Sequence, residues 1–130
     1  MPFIQWTAYD RLMNAVRRIA DEIRRYHRQG GTICVGGQLT VTAEVDDLGF
    51  EKRVGIRYTT DNWITCRDSD GTWSSHDDAG HTDRFVIYSE PILASVDSIE
   101  YVLYYEVKGA TFWDNNNGAN YSLRFRELTK

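Results

Sequence analysis

Two short stretches of the chain set a tryptophan beside short amide and acid side chains. One is Asp61-Asn62-Trp63; the other runs from Trp113 through Asp114, Asn115, Asn116, Asn117, Gly118, Ala119 and Asn120 to Tyr121. Tryptophan offers a broad apolar face at small entropic cost. Asparagine carries donors and an acceptor on one short, stiff side chain. Together they suit a ligand with C–H groups on its faces and hydroxyls around its rim, which is the chemistry of a pyranose. The competing account has both tryptophans plugging a core and the asparagines capping turns. The polar residues on either side of Trp113 argue against easy burial.

Other chemistries are weaker. The acidic stretch 67–84 holds Asp68, Asp70, His76, Asp77, Asp78, His81 and Asp83. Asp68-Ser69-Asp70-Gly71 starts like a calcium loop but lacks the later ligands and the closing glutamate. His76 and His81 with flanking carboxylates have the ligand types for a transition metal, yet a long solvated loop joining two strands explains them as well. There is no G-x-S-x-G, no phosphate loop and no cysteine paired with a placed histidine. Asp46-Asp47 reads as a soluble turn. The expectation is a protein with no catalytic residues, no metal and no cofactor.

The elements that must carry these stretches differ along the chain. Residues 7–29 place Tyr9, Leu12, Val16, Ile19, Ile23 and Tyr26 at alternating spacings of three and four, with Arg17, Arg18, Arg24, Arg25 and Arg28 off that stripe. This spacing predicts one long amphipathic helix, opened near Thr7 and Asp10 and stopped by Gly30-Gly31. Its apolar stripe, Leu12, Val16, Ile19 and Ile23, needs a partner: its own sandwich, a second copy in a homodimer, or another protein. From Thr32 the period changes to two, at Leu39, Val41, Ala43 and Val45; at Val54, Ile56 and Tyr58; at Phe85 and Ile87; at Ile99, Tyr101, Leu103, Tyr105 and Val107; and at Tyr121, Leu123 and Phe125. Lys108-Gly109 sits where a tight hairpin would turn. The fold class expected is mainly β: an antiparallel β-sandwich over 32–130, preceded by an N-terminal α-helical segment, 1–31, for assembly or targeting.

Composition agrees with a single domain of 130 residues with 42% hydrophobic content. Aromatic content is high, 13%; many of these residues must be core, and a surplus outside it would point to a binding face. The net charge of −4 argues against nucleic acid as a partner. Residues 1–31 carry six basic and three acidic groups and no long apolar run, which predicts neither a secretory signal nor a membrane span, hence a cytoplasmic protein. Cys34 and Cys66 read as two reduced thiols.

The segments Phe50–Trp63 (FEKRVGIRYTTDNW) and Tyr104–Tyr121 (YYEVKGATFWDNNNGANY) resemble carbohydrate-binding module family 21, the starch- and glycogen-binding domains found in fungal glucoamylase and in glycogen-targeting phosphatase regulatory subunits. The likeness covers roughly residues 38–126. It implies an immunoglobulin-like β-sandwich that binds α-1,4-glucan without catalysis. It also implies that Trp63 and Trp113 stack on glucose, with Asp114, Asn115, Asn116 and Asn120 alongside. A further aromatic of that site aligns with Tyr101 or with Val102. A second carbohydrate site maps to Phe50, Lys52 and Trp73; its third aromatic falls near 79–82, where this chain has none. The helix is no part of the family pattern, and the phosphatase-docking motif is matched only loosely, by Arg53-Val54-Gly55-Ile56.

Overall fold

A computed structural model describes residues 15–27 and 34–124. Among these the strands are β1 (Val16–His27), β2 (Cys34–Asp46), β3 (Lys52–Thr59), β4 (Arg67–Asp70), β5 (Thr72–Asp77), β6 (Thr82–Tyr88), β7 (Ile92–Leu93), β8 (Ser98–Val107), β9 (Ala110–Asp114) and β10 (Tyr121–Arg124). One sheet runs β1-β2-β6-β5, with β7 also on β2. The other runs β10-β8-β3-β4, with β9 also on β8. All pairings are antiparallel.

The period-two residues build the core. Leu39, Val41, Ala43, Val45, Ile56, Ile87, Ile99, Tyr101, Leu103 and Tyr105 are all fully buried. Successive strand residues face opposite sides, so each buried residue leaves an outward neighbour free for other work. The hairpin at Lys108-Gly109 forms as expected: both residues take positive φ, 50° and 76°, as a tight turn between twisted strands requires.

The helix expectation is corrected. Val16–His27 is a strand, paired along β2 from Val16↔Val45 to His27↔Cys34. The reason lies in its register. The pairing shifts between Arg18 and Ala20, leaving Ile19 as an extra residue. A bulge reverses which side of the strand faces in. Val16 therefore points inward before it and Ile23 inward after it. Two apolar residues seven apart, which a helix places on one face, are both set against the core here by a bulged strand, Val16 buried and Ile23 half-buried. Residues 7–14, Leu12 among them, and 28–29 lie outside the described residues, as does Phe125.

The pairing stripe expected of Leu12, Val16, Ile19 and Ile23 is accordingly not available on β1. Val16 is 2% exposed, Ile23 packs against the core of its own sandwich, and Ile19 alone of the three is exposed, at 42%. Nor is 67–84 a loop. It forms β4, β5 and the start of β6, with Gly71 between the two sheets and its N–H on the Val54 carbonyl at 2.7 Å. The Cys66 thiol is free and exposed.

Candidate functional site

The asparagine loop is an interruption in one strand pairing. Asp114 of β9 pairs with Leu103 of β8, and Tyr121 of β10 pairs with Tyr101. Only Val102 separates those partners on β8, whereas residues 115–120 bulge outward opposite it. The loop is closed by its own polar groups. The Asn115 carbonyl accepts from the N–H of Gly118 at 3.1 Å and of Asn120 at 2.8 Å. The Asn115 Oδ1 accepts from Gly118 N–H at 3.0 Å, and Asp114 Oδ1 from Asn116 N–H at 3.0 Å. Asn116 Nδ2 donates to the Asn120 carbonyl at 3.0 Å. Asn116, Asn117 and Asn120 have φ of 56°, 57° and 59°. Asparagine is chosen there because it tolerates left-handed backbone and can bond its own turn.

The second loop follows β3. Thr59 Oγ1 accepts from the N–H of Asp61 at 3.2 Å and of Trp63 at 3.0 Å. Asp61 accepts the Thr65 N–H at 2.9 Å and the Thr65 hydroxyl at 2.6 Å. Those Thr65 donors hold the Asp61 carboxyl below its usual range. The turn forces Asn62 and Trp63 into positive φ, 57° and 68°. For a bulky aromatic this is a strained conformation, roughly 1–3 kcal/mol, and strain of this kind collects where a side chain must be aimed.

Between the loops lies an open groove of about 390 Å³ lined by Arg57, Trp63, Val102, Trp113, Asn115 and Asn120. Trp113 is 38% exposed. Its ring meets Tyr104 edge-on, with centroids 6.0 Å apart, and the Arg57 guanidinium lies 5.1 Å from its centroid. Arg57 is itself held by Asp68 through contacts of 2.8 and 3.1 Å. One oxygen of Glu100, Oε1, accepts from both Trp63 Nε1 and Asn120 Nδ2, each at 3.2 Å.

The structure thus brings Trp63, Trp113, Asn115 and Asn120 to one groove. Asp114 and Asn116 shape the loop instead of lining the groove: Asp114 also accepts the Tyr121 hydroxyl at 2.6 Å. Tyr101 is corrected. It is fully buried on the core face and donates to Asp21 at 2.6 Å, while its neighbour Val102 occupies the groove wall. Strand alternation decides this, because adjacent residues cannot share a face. Arg57 and Glu100 were not singled out from sequence. Nothing local separates them from other outward polar strand residues, and only the register across β3, β8 and the loops shows their place.

Of the other expected group, Phe50, Lys52 and Trp73, the last two meet at a charged hub around Asp83. Phe50 is 98% exposed and Trp73 56%. Lys52 Nζ meets Asp47 at 2.6 Å and Asp83 at 3.0 Å. Asp83 also accepts from Trp73 Nε1 at 3.0 Å and contacts His76 Nδ1 at 2.9 Å. Burial alone would raise the Asp83 carboxyl, but Trp73, Lys52 and His76 outweigh it and hold it low. Asp47, His76 and Asp83 could each offer an atom to a metal; the Lys52 ammonium already pairs with both carboxylates. Asp68 and Asp70, the start of the calcium-like stretch, pair with Arg57 and Arg53.

A two-sheet sandwich with an open aromatic–amide groove defines a small ligand-binding module. The chain belongs to the carbohydrate/starch-binding modules of family 21, which it matches over residues 31–124. It is 39% identical over 92 residues to protein phosphatase 1 regulatory subunit 3C of Clarias batrachus, covering 68% of this chain and 32% of that protein. It is 37% identical over 90 residues to human regulatory subunit 3B, covering 67% of this chain and 32% of that one. The chain therefore spans about a third of the length of these curated relatives. Among solved structures it resembles the carbohydrate-binding module of the muscle glycogen-targeting subunit of protein phosphatase-1, with a TM-score of 0.63 and 26% identity over 95% of this chain and 86% of that one. The starch-binding domain of Rhizopus oryzae glucoamylase shares the fold, with a TM-score of 0.54 at 19% identity over 79% of this chain and 91% of that one.

Proposed function

We propose that this chain binds α-1,4-glucan, as glycogen, starch or malto-oligosaccharide, without catalysis, and so tethers what it is attached to on polysaccharide in the cytoplasm. The observation that carries the reading is the groove: two tryptophans from separate loops, flanked by Asn115 and Asn120, in a carbohydrate/starch-binding family chain. Trp63 and Trp113 supply the stacking faces. Asn115, Asn120 and Arg57 supply groups for hydroxyls. Two stacked sugars at very roughly 1–3 kcal/mol each, with a few hydrogen bonds at about 1 kcal/mol each and less the ordering costs, correspond to a Kd of about 10 µM to 1 mM. Phe50, Lys52 and Trp73 form the second site of the same proposal.

A second reading is an adaptor that recruits a phosphatase or another protein. The names of the relatives favour it. The Arg53-Val54-Gly55-Ile56 segment does not help it, since Val54 and Ile56 are buried in β3. No membrane-crossing helix occurs among the described residues.

The test is a titration with maltoheptaose followed by tryptophan fluorescence, with Trp63→Ala and Trp113→Ala in parallel. Each substitution should weaken binding roughly 5- to 150-fold, the range of one lost stack. Binding that survives both would move the site to Phe50 and Trp73. A folded wild type that fails to respond to sugar at about 10 mM, above the weakest affinity expected, would leave the adaptor reading.

A further inference from the structure

We infer that strand β1 is a positioning element of the groove: Arg18 and Asp21 brace the Tyr101–Tyr121 pair on which the asparagine loop is seated. The inference rests on the glucan reading of that groove. It concerns a strand that precedes the matched residues 31–124.

The path is continuous. The bulge at Ile19 leaves Asp21 on the same face of β1 as Arg18, the two standing opposite Val41 and Ala43 of β2; Asp21 is half-buried and Arg18 lies at the exposed rim of that face. Arg18 Nη1 pairs with Asp21 Oδ2 at 3.1 Å. The same carboxylate oxygen accepts the Tyr101 hydroxyl at 2.6 Å. The Arg18 guanidinium lies 4.3 Å from the centroid of the Tyr121 ring, and Tyr101 and Tyr121 stack with centroids 5.3 Å apart. Tyr121 in turn donates to Asp114 Oδ2 at 2.6 Å, and Asp114 Oδ1 accepts the Asn116 N–H at 3.0 Å. Arg18 and Asp21 therefore reach the loop through Tyr121 and Asp114, with no contact on the groove itself. Burial, and then the Asp21 carboxylate, raise the Tyr101 hydroxyl; burial and Asp114 raise that of Tyr121. Both stay donors throughout the physiological range.

The geometry has one consequence for ligand binding. A loop whose ends are fixed loses less freedom when a sugar closes on it, so bracing raises affinity without a new contact. Loss of a cation from an aromatic face is worth a few-fold to about tenfold in an equilibrium.

The experiment uses the full chain with Arg18→Ala, Arg18→Lys and, as a control, Arg17→Ala. Arg17 lies on the same strand but pairs outward with Glu44 at 3.2 Å and Asp46 at 2.9 Å. Two readouts are taken: amide hydrogen exchange at Gly118, Ala119 and Asn120 without sugar, and the Kd for maltoheptaose. Exchange in the loop is normalised to amides of the β3–β8 pairing. The expected result is loop exchange faster by roughly threefold or more and affinity lower by roughly 3- to 10-fold for Arg18→Ala, partial recovery in Arg18→Lys, and no loop-specific change in Arg17→Ala. Equal effects of Arg17→Ala and Arg18→Ala, or loop exchange that rises only with global exchange, would overturn the inference. Should Arg18→Ala not fold, Asp21→Asn decides by the same two readouts, since it keeps the size and removes the charge. If the wild type does not bind maltoheptaose the glucan reading fails, and the sugar-free exchange still decides whether β1 braces the loop.

Discussion

A single oxygen of Glu100 accepts from Trp63 and from Asn120, so one side chain ties the two loops of the groove together. Removing it frees both. Glu100→Ala is expected to weaken maltoheptaose binding roughly tenfold, the worth of about one charge-assisted bond. Glu100→Gln keeps an acceptor and should stay several-fold closer to wild type; calorimetric titration of the pair checks this. Val102 makes a different prediction. It lines the groove where the family resemblance implies an aromatic as one of two alignments. Val102→Tyr should tighten binding by several-fold, within the roughly 1–3 kcal/mol of one stack. An unchanged Kd in a folded variant would show that the wall beside Trp113 takes no sugar.

At the scale of elements, two glycines separate loop shape from sheet packing. Gly118 has φ +91° and nothing within 4 Å of where a Cβ would stand. Gly118→Ala meets only backbone strain, about 1 kcal/mol, and should act mainly on the loop, lowering affinity more than melting temperature. A Cβ on Gly55 would come within 2.2 Å of the Ser69 carbonyl oxygen and 2.3 Å of the Tyr104 hydroxyl. That position lets the Tyr104 ring lie flat across β3, where the Arg53 guanidinium covers it at 4.7 Å and Trp113 meets its edge. Gly55→Ala should destabilise the fold by about 1–3 kcal/mol and disturb Trp113 with it. Thermal unfolding and tryptophan emission of the two variants distinguish the cases.

For the whole molecule the charged hub around Asp83 sets a pH dependence. Its hydrogen bond to Asp83 raises the pKa of His76 above the ordinary value. A raised folded-state pKa adds stability that is complete below the unfolded value, about 6.5, and is lost as pH rises through the folded one. Asp83, held low, stays ionised across that window, so His76 alone of the two titrates there. Wild type should therefore lose its advantage over His76→Gln as pH is raised from about 5.5 to about 8.5, read as the difference in melting temperature. A difference that is flat across that range would mean that the His76–Asp83 contact does not persist in solution. Trp73 shares Asp83 with His76, so its emission should shift over the same window if the hub acts as one unit.

Much of this was legible in the chain. The alternation at Leu39–Val45 and Ile99–Val107 required strands with one buried face, because a side-chain period of two admits no other element. The types and spacing around Trp63 and Trp113 pointed to one kind of ligand. Three things waited for the tertiary structure. The run Val16, Ile19, Ile23 fits a helix and a bulged strand equally well, and only pairing with β2 selects the strand. Tyr101 and Val102 differ by one position, and only the sheet decides which of them faces the groove. Arg57, Glu100 and Arg18 carry no local signal, since their roles come from residues 20 to 103 positions away that the fold brings within bonding or stacking distance. Local periodicity is written in neighbouring residues, whereas a site is made by contacts between distant ones.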